Sequence, residues 1–125
     1  EDYGVTIWGR GIVDHHPGHK PLENVPEHEH EGWYLGMTHG YYVDRGAEMF
    51  SSLIRPNEIE ESQLDYLALG HVHVFSIMQH GKTIAVYPGS PNIGQGAKEM
   101  SVALVDLDPE LGVRVEKISL LPRAS

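Results

Sequence analysis

The chain has 125 residues, which fits one domain, and 40% of them are hydrophobic, so it can bury a core. It contains no cysteine, which excludes disulfides and cysteine zinc sites and favours a cytoplasmic protein. The formal net charge is −9 and the nine Lys and Arg residues are scattered, which disfavours nucleic-acid binding by this chain alone. No stretch approaches the roughly 18 apolar residues of a membrane span, so we expect no membrane association.

The first half of the chain combines two predicted strands with a polar segment. Tyr3–Val13 (YGVTIWGRGIV) is rich in Val, Ile and Trp and predicts a strand. Residues 14–32 hold three prolines, five histidines and four glutamates, which predicts a long surface loop. Trp33–Gly40 (WYLGMTHG) predicts a short buried strand, and Glu48–Ile54 fits either a helical turn or a strand.

The second half is predicted to be mainly strands. Asn57 is expected to cap a short helix over EIEESQL, and DYLALG is expected to form a buried strand. Val74–Gln79 and Lys82–Tyr87 predict a hairpin around a turn at His80–Gly81. SVALVDLD and VRVEKISLL predict two final strands, joined by the turn PELG.

Several predicted strands, such as YLGMT, YLALG and VALVDL, are apolar on both faces. Such strands occur in sheets that are covered on both sides. The chain offers few helices to cover them. Either a sandwich of two sheets hides these strands, or a partner segment lies outside this sequence.

The pattern His-x-His occurs twice among nine histidines, so spacing alone does not identify a metal site. His28 and His30 lie in the acidic loop and are expected to be exposed. His71 and His73 follow an apolar strand and a glycine. Extended backbone would direct both side chains to the same side of the strand, with their Cβ atoms about 6.5–7 Å apart. Each imidazole could then reach a different ion of a pair about 3.5–4 Å apart. Hydrogen-bonded histidines at a strand end fit the same pattern.

His39 favours the metal site, because MTHG repeats the design of an apolar strand followed by histidine and glycine. Two strands that end in this way indicate one convergent site. Asp14 and His16 form Asp-x-His, a weaker candidate pair in the charged loop. His80 is expected to be exposed in its hairpin turn.

The motifs THG, DYLALGHVH, YPGSP and VALVDLD, in this order over roughly residues 33–108, resemble the C-terminal half of calcineurin-like metallophosphoesterases. They are most similar to the bacterial DNA-repair-exonuclease-like branch of that family. The resemblance implies an α+β, mostly β fold: part of a two-sheet sandwich with two metal ions at the strand ends. It implies that His39 and His71 bind one ion and that His73 binds the other. The implied ions are Mn, Fe or Zn, and imidazole ligands alone do not identify them.

Ser90 and Asn92 lie in YPGSPN, which follows a predicted strand. Pro-Gly and Ser-Pro favour a turn here. The alternative is a substrate-binding role for these two residues, beside the substrate phosphate.

The family's first three motifs are Asp-x-His, Gly-Asp-x-x-Asp and Gly-Asn-His-Asp/Glu, and they do not occur here in order. They supply the bridging aspartate, an asparagine ligand and the histidine that assists the leaving group. Asp14 and His16 could imitate only the first motif. We therefore expect residues 1–125 to form a single partial domain whose partner is a missing N-terminal half. Apolar surface left by that half makes a homo-oligomer a further expectation.

The complete enzyme is expected to hydrolyse phosphodiester or phosphomonoester bonds, with DNA and nucleotides among the candidate substrates. This chain alone is expected to have little or no activity, and no catalytic residue is assigned to it. Two other hypotheses are a small metal-binding module that uses Asp14, His16 and the three histidines, and a non-catalytic β-rich interaction domain. Metal binding distinguishes the three hypotheses. A half-domain should bind two coupled ions only when the missing half is supplied, and a small metal-binding module should bind one ion tightly in the isolated chain. An interaction domain should fold without any dependence on metal.

Overall fold

The computed structural model of the chain describes residues 4–11, 18–29, 31–44, 52–92 and 99–120. These residues are mostly β, with nine strands and one helix among them, as the sequence predicts. The elements are β1 (Val5–Arg10), β2 (Trp33–His39), β3 (Tyr41–Tyr42), β4 (Leu53–Ile54), α1 (Pro56–Ser62), β5 (Tyr66–Gly70), β6 (Phe75–His80), β7 (Thr83–Pro88), β8 (Ser101–Asp108) and β9 (Gly112–Ser119). No helix among the described residues is long and apolar enough to span a membrane.

Five strands form one mixed sheet in the order β1-β2-β5-β7-β6. Strands β1, β2, β5 and β7 run parallel, and β6 returns antiparallel to β7. The four parallel strands therefore end along one edge of the sheet, at Arg10, His39, Gly70 and Pro88. We call this the carboxyl edge, and such edges are where open sheets place ligands. Strands β3 and β4 form a short parallel pair, and β8 and β9 form an antiparallel ribbon.

One face of the five-stranded sheet carries the hydrophobic core. Strand alternation directs Leu67, Leu69, Ala85 and Tyr87 to this face, where each is at most 2% exposed. Helix α1, strand β4 and the segment 18–29 each add a buried apolar residue to the cluster: Ile59, Ile54 and Leu22. The core thus lies between the sheet and these covering segments.

The opposite face of the sheet is open at its two margins. Ile7 is 69% exposed, Met37 61% and Ile77 50%, and the strand register places all three on this face. Val86 and Tyr66 lie on the same face in the middle strands and are buried. The described residues therefore leave an apolar surface at each margin exposed to solvent.

Helix α1 begins before the predicted cap, so the assignment of that role to Asn57 is wrong. The N-cap is Arg55, and Pro56 occupies the first helical position. Proline has a backbone angle that suits the first turn of a helix. The Glu58 carboxylate accepts a hydrogen bond from the Arg55 backbone N–H at 2.9 Å. Together these residues start the helix two residues before the predicted position.

The predicted hairpin is confirmed, but the expectation for His80 is wrong. His80 ends β6, the turn falls at Gly81 and Lys82, and the histidine is half-buried. Its Nε2 atom hydrogen-bonds the Tyr42 hydroxyl at 2.7 Å. Tyr42, which lies in the second sheet, therefore holds the His80 side chain, which the turn pattern alone predicts to be exposed.

The described part of the loop predicted over residues 14–32 contains no helix or strand. Within it, Pro21 and Leu22 are buried, and Leu22 belongs to the core cluster. This segment therefore covers part of the core instead of lying wholly on the surface.

Leu67 offers a direct test of this core. We expect Leu67→Ala to lower the free energy of unfolding by about 2–5 kcal/mol, because the side chain is fully buried and its loss leaves a cavity. Leu111→Ala is the matched control, since Leu111 is 67% exposed and should change stability by no more than about 0.5 kcal/mol. Denaturant unfolding followed by circular dichroism measures both, and equal losses would contradict this location of the core.

Candidate metal centre

The candidate site lies at the carboxyl edge, where β2 and β5 end side by side. His39 is the last residue of β2 and stands opposite Gly70, the last residue of β5. The Gly40 backbone N–H donates to the Gly70 carbonyl at 3.1 Å, which extends this pairing by one residue. The pairing of these two apolar strands thus brings together His39, at the end of β2, and His71, directly after β5.

The rings of His39 and His71 are in contact. Their centroids lie 5.3 Å apart, and the ring planes meet at 87°, so the contact is edge to face. Gly70 makes room for this arrangement, because a Cβ atom at that position would lie 3.0 Å from His39 Nδ1. The glycine in LGHVH therefore leaves space for the His39 ring.

His71 has an unusual backbone conformation, with φ of 119°. Residues with side chains rarely adopt this region, and they hold it only where the surroundings fix them. On one side the His71 ring meets His39, and on another it meets the Tyr41 ring at a centroid distance of 5.7 Å. Strained backbone of this kind is frequent at functional sites.

His73 is half-buried and is separated from His71 by Val72, which packs against the core. In the described part of the chain, no group of three or more His, Cys, Asp or Glu side chains is placed to hold a metal ion. His73 therefore does not join His39 and His71 in a single cluster. The resemblance assigns His73 to the second ion, which does not require such a cluster, and all three ligand assignments stay predictions.

The two contacting imidazoles fit one part of a metal-binding set. Imidazole is a common ligand of transition metals, and neutral rings on adjacent strand ends can approach the same ion. Two nitrogen ligands do not complete the coordination of such an ion. The described residues therefore provide a partial set, to which other groups would have to add.

An open groove of about 540 Å³ runs beside His39. Its other lining residues come from the ends of β1, β2 and β5, and they include Arg10, Met37 and Ala68. Met37 and Ala68 stand opposite each other on the open face of the sheet. The groove thus connects the candidate site with the apolar surface that the described residues leave uncovered.

Ser90 and Asn92 form a bend after β7, as the turn interpretation predicts. The Ser90 hydroxyl donates to the Asn92 carbonyl at 2.8 Å and accepts the Asn92 backbone N–H at 3.2 Å. The Ser90 carbonyl accepts the Ser101 N–H at 2.8 Å, which ties the bend to β8. A substrate-binding role for either residue stays a prediction.

The remaining candidates lie away from this pair or outside the described residues. Asp14, His16 and His30 belong to the latter group. His28 is half-buried and stacks on Tyr34 at a centroid distance of 4.7 Å, so the expectation of an exposed side chain is wrong. Tyr41 was not predicted from the sequence as part of the site, although it directly follows the motif THG, which contains the candidate ligand His39.

Gly70→Ala tests whether the missing side chain positions His39. We expect the added Cβ to rotate the His39 ring, weaken its contact with His71 and reduce Zn²⁺ affinity roughly 10-fold, as perturbed ligand orientation usually does. Gly11→Ala is the control, because a Cβ there meets no atom within 4 Å. Ring-to-ring NMR cross-peaks and Zn²⁺ titration give the two measurements. Unchanged cross-peaks in Gly70→Ala would contradict this role of the glycine.

Residues 9–110 match the family model of the calcineurin-like phosphoesterase superfamily domain. The match begins in β1 and ends in the turn between β8 and β9, so it includes the carboxyl edge and all three candidate histidines. Curated proteins give no match to this chain. Because the family match spans well over half of the 125 residues, the chain belongs to the calcineurin-like phosphoesterase superfamily.

Proposed function

We propose that this chain contributes the histidine side of a two-metal centre that hydrolyses phosphoesters. The observation that supports it most is the contact between the His39 and His71 rings at the carboxyl edge of two parallel strands. In this proposal His39 and His71 bind one ion and His73 binds the other. Manganese, iron and zinc are all compatible with such ligands in the complete site.

Two divalent ions, when bound, would polarise the phosphoester and lower the pKa of the attacking water. The part played by this chain is to present neutral imidazole nitrogens in a fixed arrangement. The β2–β5 pairing sets the distance between the strand ends, and Gly70 leaves space for the His39 ring. No general acid or base is assigned among the described residues.

We further propose that the chain is the C-terminal half of its catalytic domain. Three ligand-bearing motifs of the family do not occur in order in the sequence, and the described residues hold no carboxylate beside the histidine pair that completes a three-ligand group. The exposed apolar surface around Ile7 and Met37 is consistent with a covering segment that would bring carboxylates to the groove. A second copy of the chain is the alternative occupant of this surface.

The proposed substrate is a phosphodiester or phosphomonoester, with DNA and nucleotides as candidate classes. Similarity of THG, LGHVH and YPGSP to the DNA-repair-exonuclease-like branch supports the choice of DNA. The net charge of −9 disfavours DNA binding by this chain alone, so in this proposal most phosphate contacts come from outside it. Ser90 and Asn92 stay candidate substrate contacts, and a cytoplasmic location stays a prediction from the lack of cysteine.

Zinc titration of the ¹⁵N-labelled chain tests the ligand assignment. We expect Zn²⁺ to shift the imidazole signals of His39 and His71 together, with weak affinity because the ligand set is partial. Removal of either ring by His39→Ala or His71→Ala should abolish the shift of the other. His28→Ala is the control, because His28 stacks on Tyr34 away from the pair. Independent shifts of the two rings would overturn the shared ion.

The half-domain proposal predicts that the purified chain has little or no activity. We expect no turnover of bis(p-nitrophenyl) phosphate above the buffer rate with Mn²⁺, because this proposal places the carboxylate ligands in the N-terminal half. His71→Ala should then behave like the unmodified chain. Metal-dependent turnover by the chain alone that His71→Ala abolishes would contradict the proposal. The coding sequence upstream of Glu1 provides a second test, since it should contain the three missing motifs in order.

A further inference from the structure

The segment that follows His39 is held by a residue far away in the sequence. Tyr87, in β7, is 2% exposed and lies on the core face of the sheet. Its hydroxyl donates to the Gly40 carbonyl at 2.5 Å and accepts the Tyr42 backbone N–H at 2.8 Å. A single buried hydroxyl therefore binds the backbone on both sides of Tyr41.

This double hydrogen bond acts at the point where the chain leaves the main sheet. Gly40 still donates to Gly70 of β5, whereas Tyr41 and Tyr42 already pair with β4 in the small second sheet. At the far end of the segment, the Tyr42 hydroxyl hydrogen-bonds His80 at 2.7 Å. The backbone from Gly40 to Tyr42 is thus held by partners from β4, β5 and β7, and the Tyr42 side chain is held by His80 of β6.

The Tyr41 ring links this held backbone segment to the candidate metal ligands. Its ring lies 5.7 Å from the ring of His71, tilted by 32°, and His71 in turn meets His39 edge to face. Because His71 has φ of 119°, its backbone does not by itself favour the observed position. Packing against the rings on either side supplies that constraint.

We propose that Tyr87 is a positioning residue for the metal centre: its hydroxyl fixes the segment Gly40–Tyr42, and through the Tyr41 ring it sets the relative placement of His39 and His71. The role of the two histidines as ligands rests on the function proposed above, whereas the positioning of their rings does not. Burial raises the pKa of Tyr87 to about 12, so the hydroxyl keeps the proton that it donates to Gly40 throughout the neutral range.

Tyr87→Phe removes both hydrogen bonds and leaves the ring in place. Tyr34→Phe is a closely matched control, because Tyr34 is also 2% exposed and its hydroxyl also donates to a backbone carbonyl, that of Pro26, at 2.8 Å. Tyr34 lies in β2, the strand of His39, but its hydroxyl partner belongs to the segment 18–29. Each variant loses a tyrosine hydroxyl that donates to a backbone carbonyl, so the effect of that loss on stability is present in both. Tyr87→Phe loses in addition the hydrogen bond from the Tyr42 N–H.

The first measurement is made on the metal-free chain. We expect the NMR cross-peaks from the His71 ring to His39 and Tyr41 to weaken or vanish in Tyr87→Phe and to persist in Tyr34→Phe. The second is Zn²⁺ affinity, which should fall at least about 10-fold in Tyr87→Phe and stay near the unmodified value in Tyr34→Phe. Unchanged ring cross-peaks in Tyr87→Phe would overturn the positioning role.

The two measurements separate this inference from the proposed function. If the unmodified chain binds no Zn²⁺ at the histidine pair, the metal assignment fails, and the cross-peaks still decide the positioning role. If it binds Zn²⁺ and Tyr87→Phe changes neither the affinity nor the cross-peaks, the metal assignment stands and the positioning role fails.

Tyr41 variants provide the test if Tyr87→Phe does not fold. Tyr41 is 37% exposed, so its replacement should leave the fold intact. We expect Tyr41→Ala to disturb the contact between His71 and His39, and Tyr41→Phe, which retains the ring, to preserve it. Identical His39–His71 cross-peaks in the unmodified chain and Tyr41→Ala would overturn the proposal at this step.

Discussion

The parallel pairing of β2 with β5 is the constraint on which the candidate site depends. It sets His39 opposite Gly70, and the Gly40 N–H continues the pairing with a 3.1 Å hydrogen bond to the Gly70 carbonyl. The register matters because side chains alternate between faces along a strand, so a shift of one residue would turn His39 to the other face. Contact with His71 therefore depends on this register.

Asp65 secures the same pairing at its opposite end. Its backbone N–H donates to the Tyr34 carbonyl, and its carboxylate accepts the Tyr34 N–H, each at 2.8 Å. Lys82 lies 3.4 Å from the same carboxylate, although its exposure limits what that ion pair contributes. Hydrogen bonds thus define the register at both ends of the paired strands, and this register fixes the position of His39.

The core and the site lie on different parts of the same sheet. Covering segments pack on one face, where Leu67 and Ala85 are fully buried, whereas Ile7 and Met37 remain open on the other. The groove beside His39 opens toward that uncovered side. A one-sided core and the proposed partial metal site are therefore compatible in one chain, since they lie on different parts of the sheet.

The sequence by itself predicted the strands of the main sheet, its hairpin and the last two strands, because apolar runs and turn residues act over a few neighbouring positions. It also singled out His39 and His71 as candidate ligands, but it did not predict β3. It failed for Asn57 and His80, where Pro56 and a distant tyrosine changed the outcome. Only the tertiary structure decided that the rings of His39 and His71 meet, that Gly70 leaves the space for them and that Tyr87 holds the backbone nearby. Tyr87 and Gly40 are 47 residues apart, and a hydrogen bond between them leaves no local pattern in the sequence.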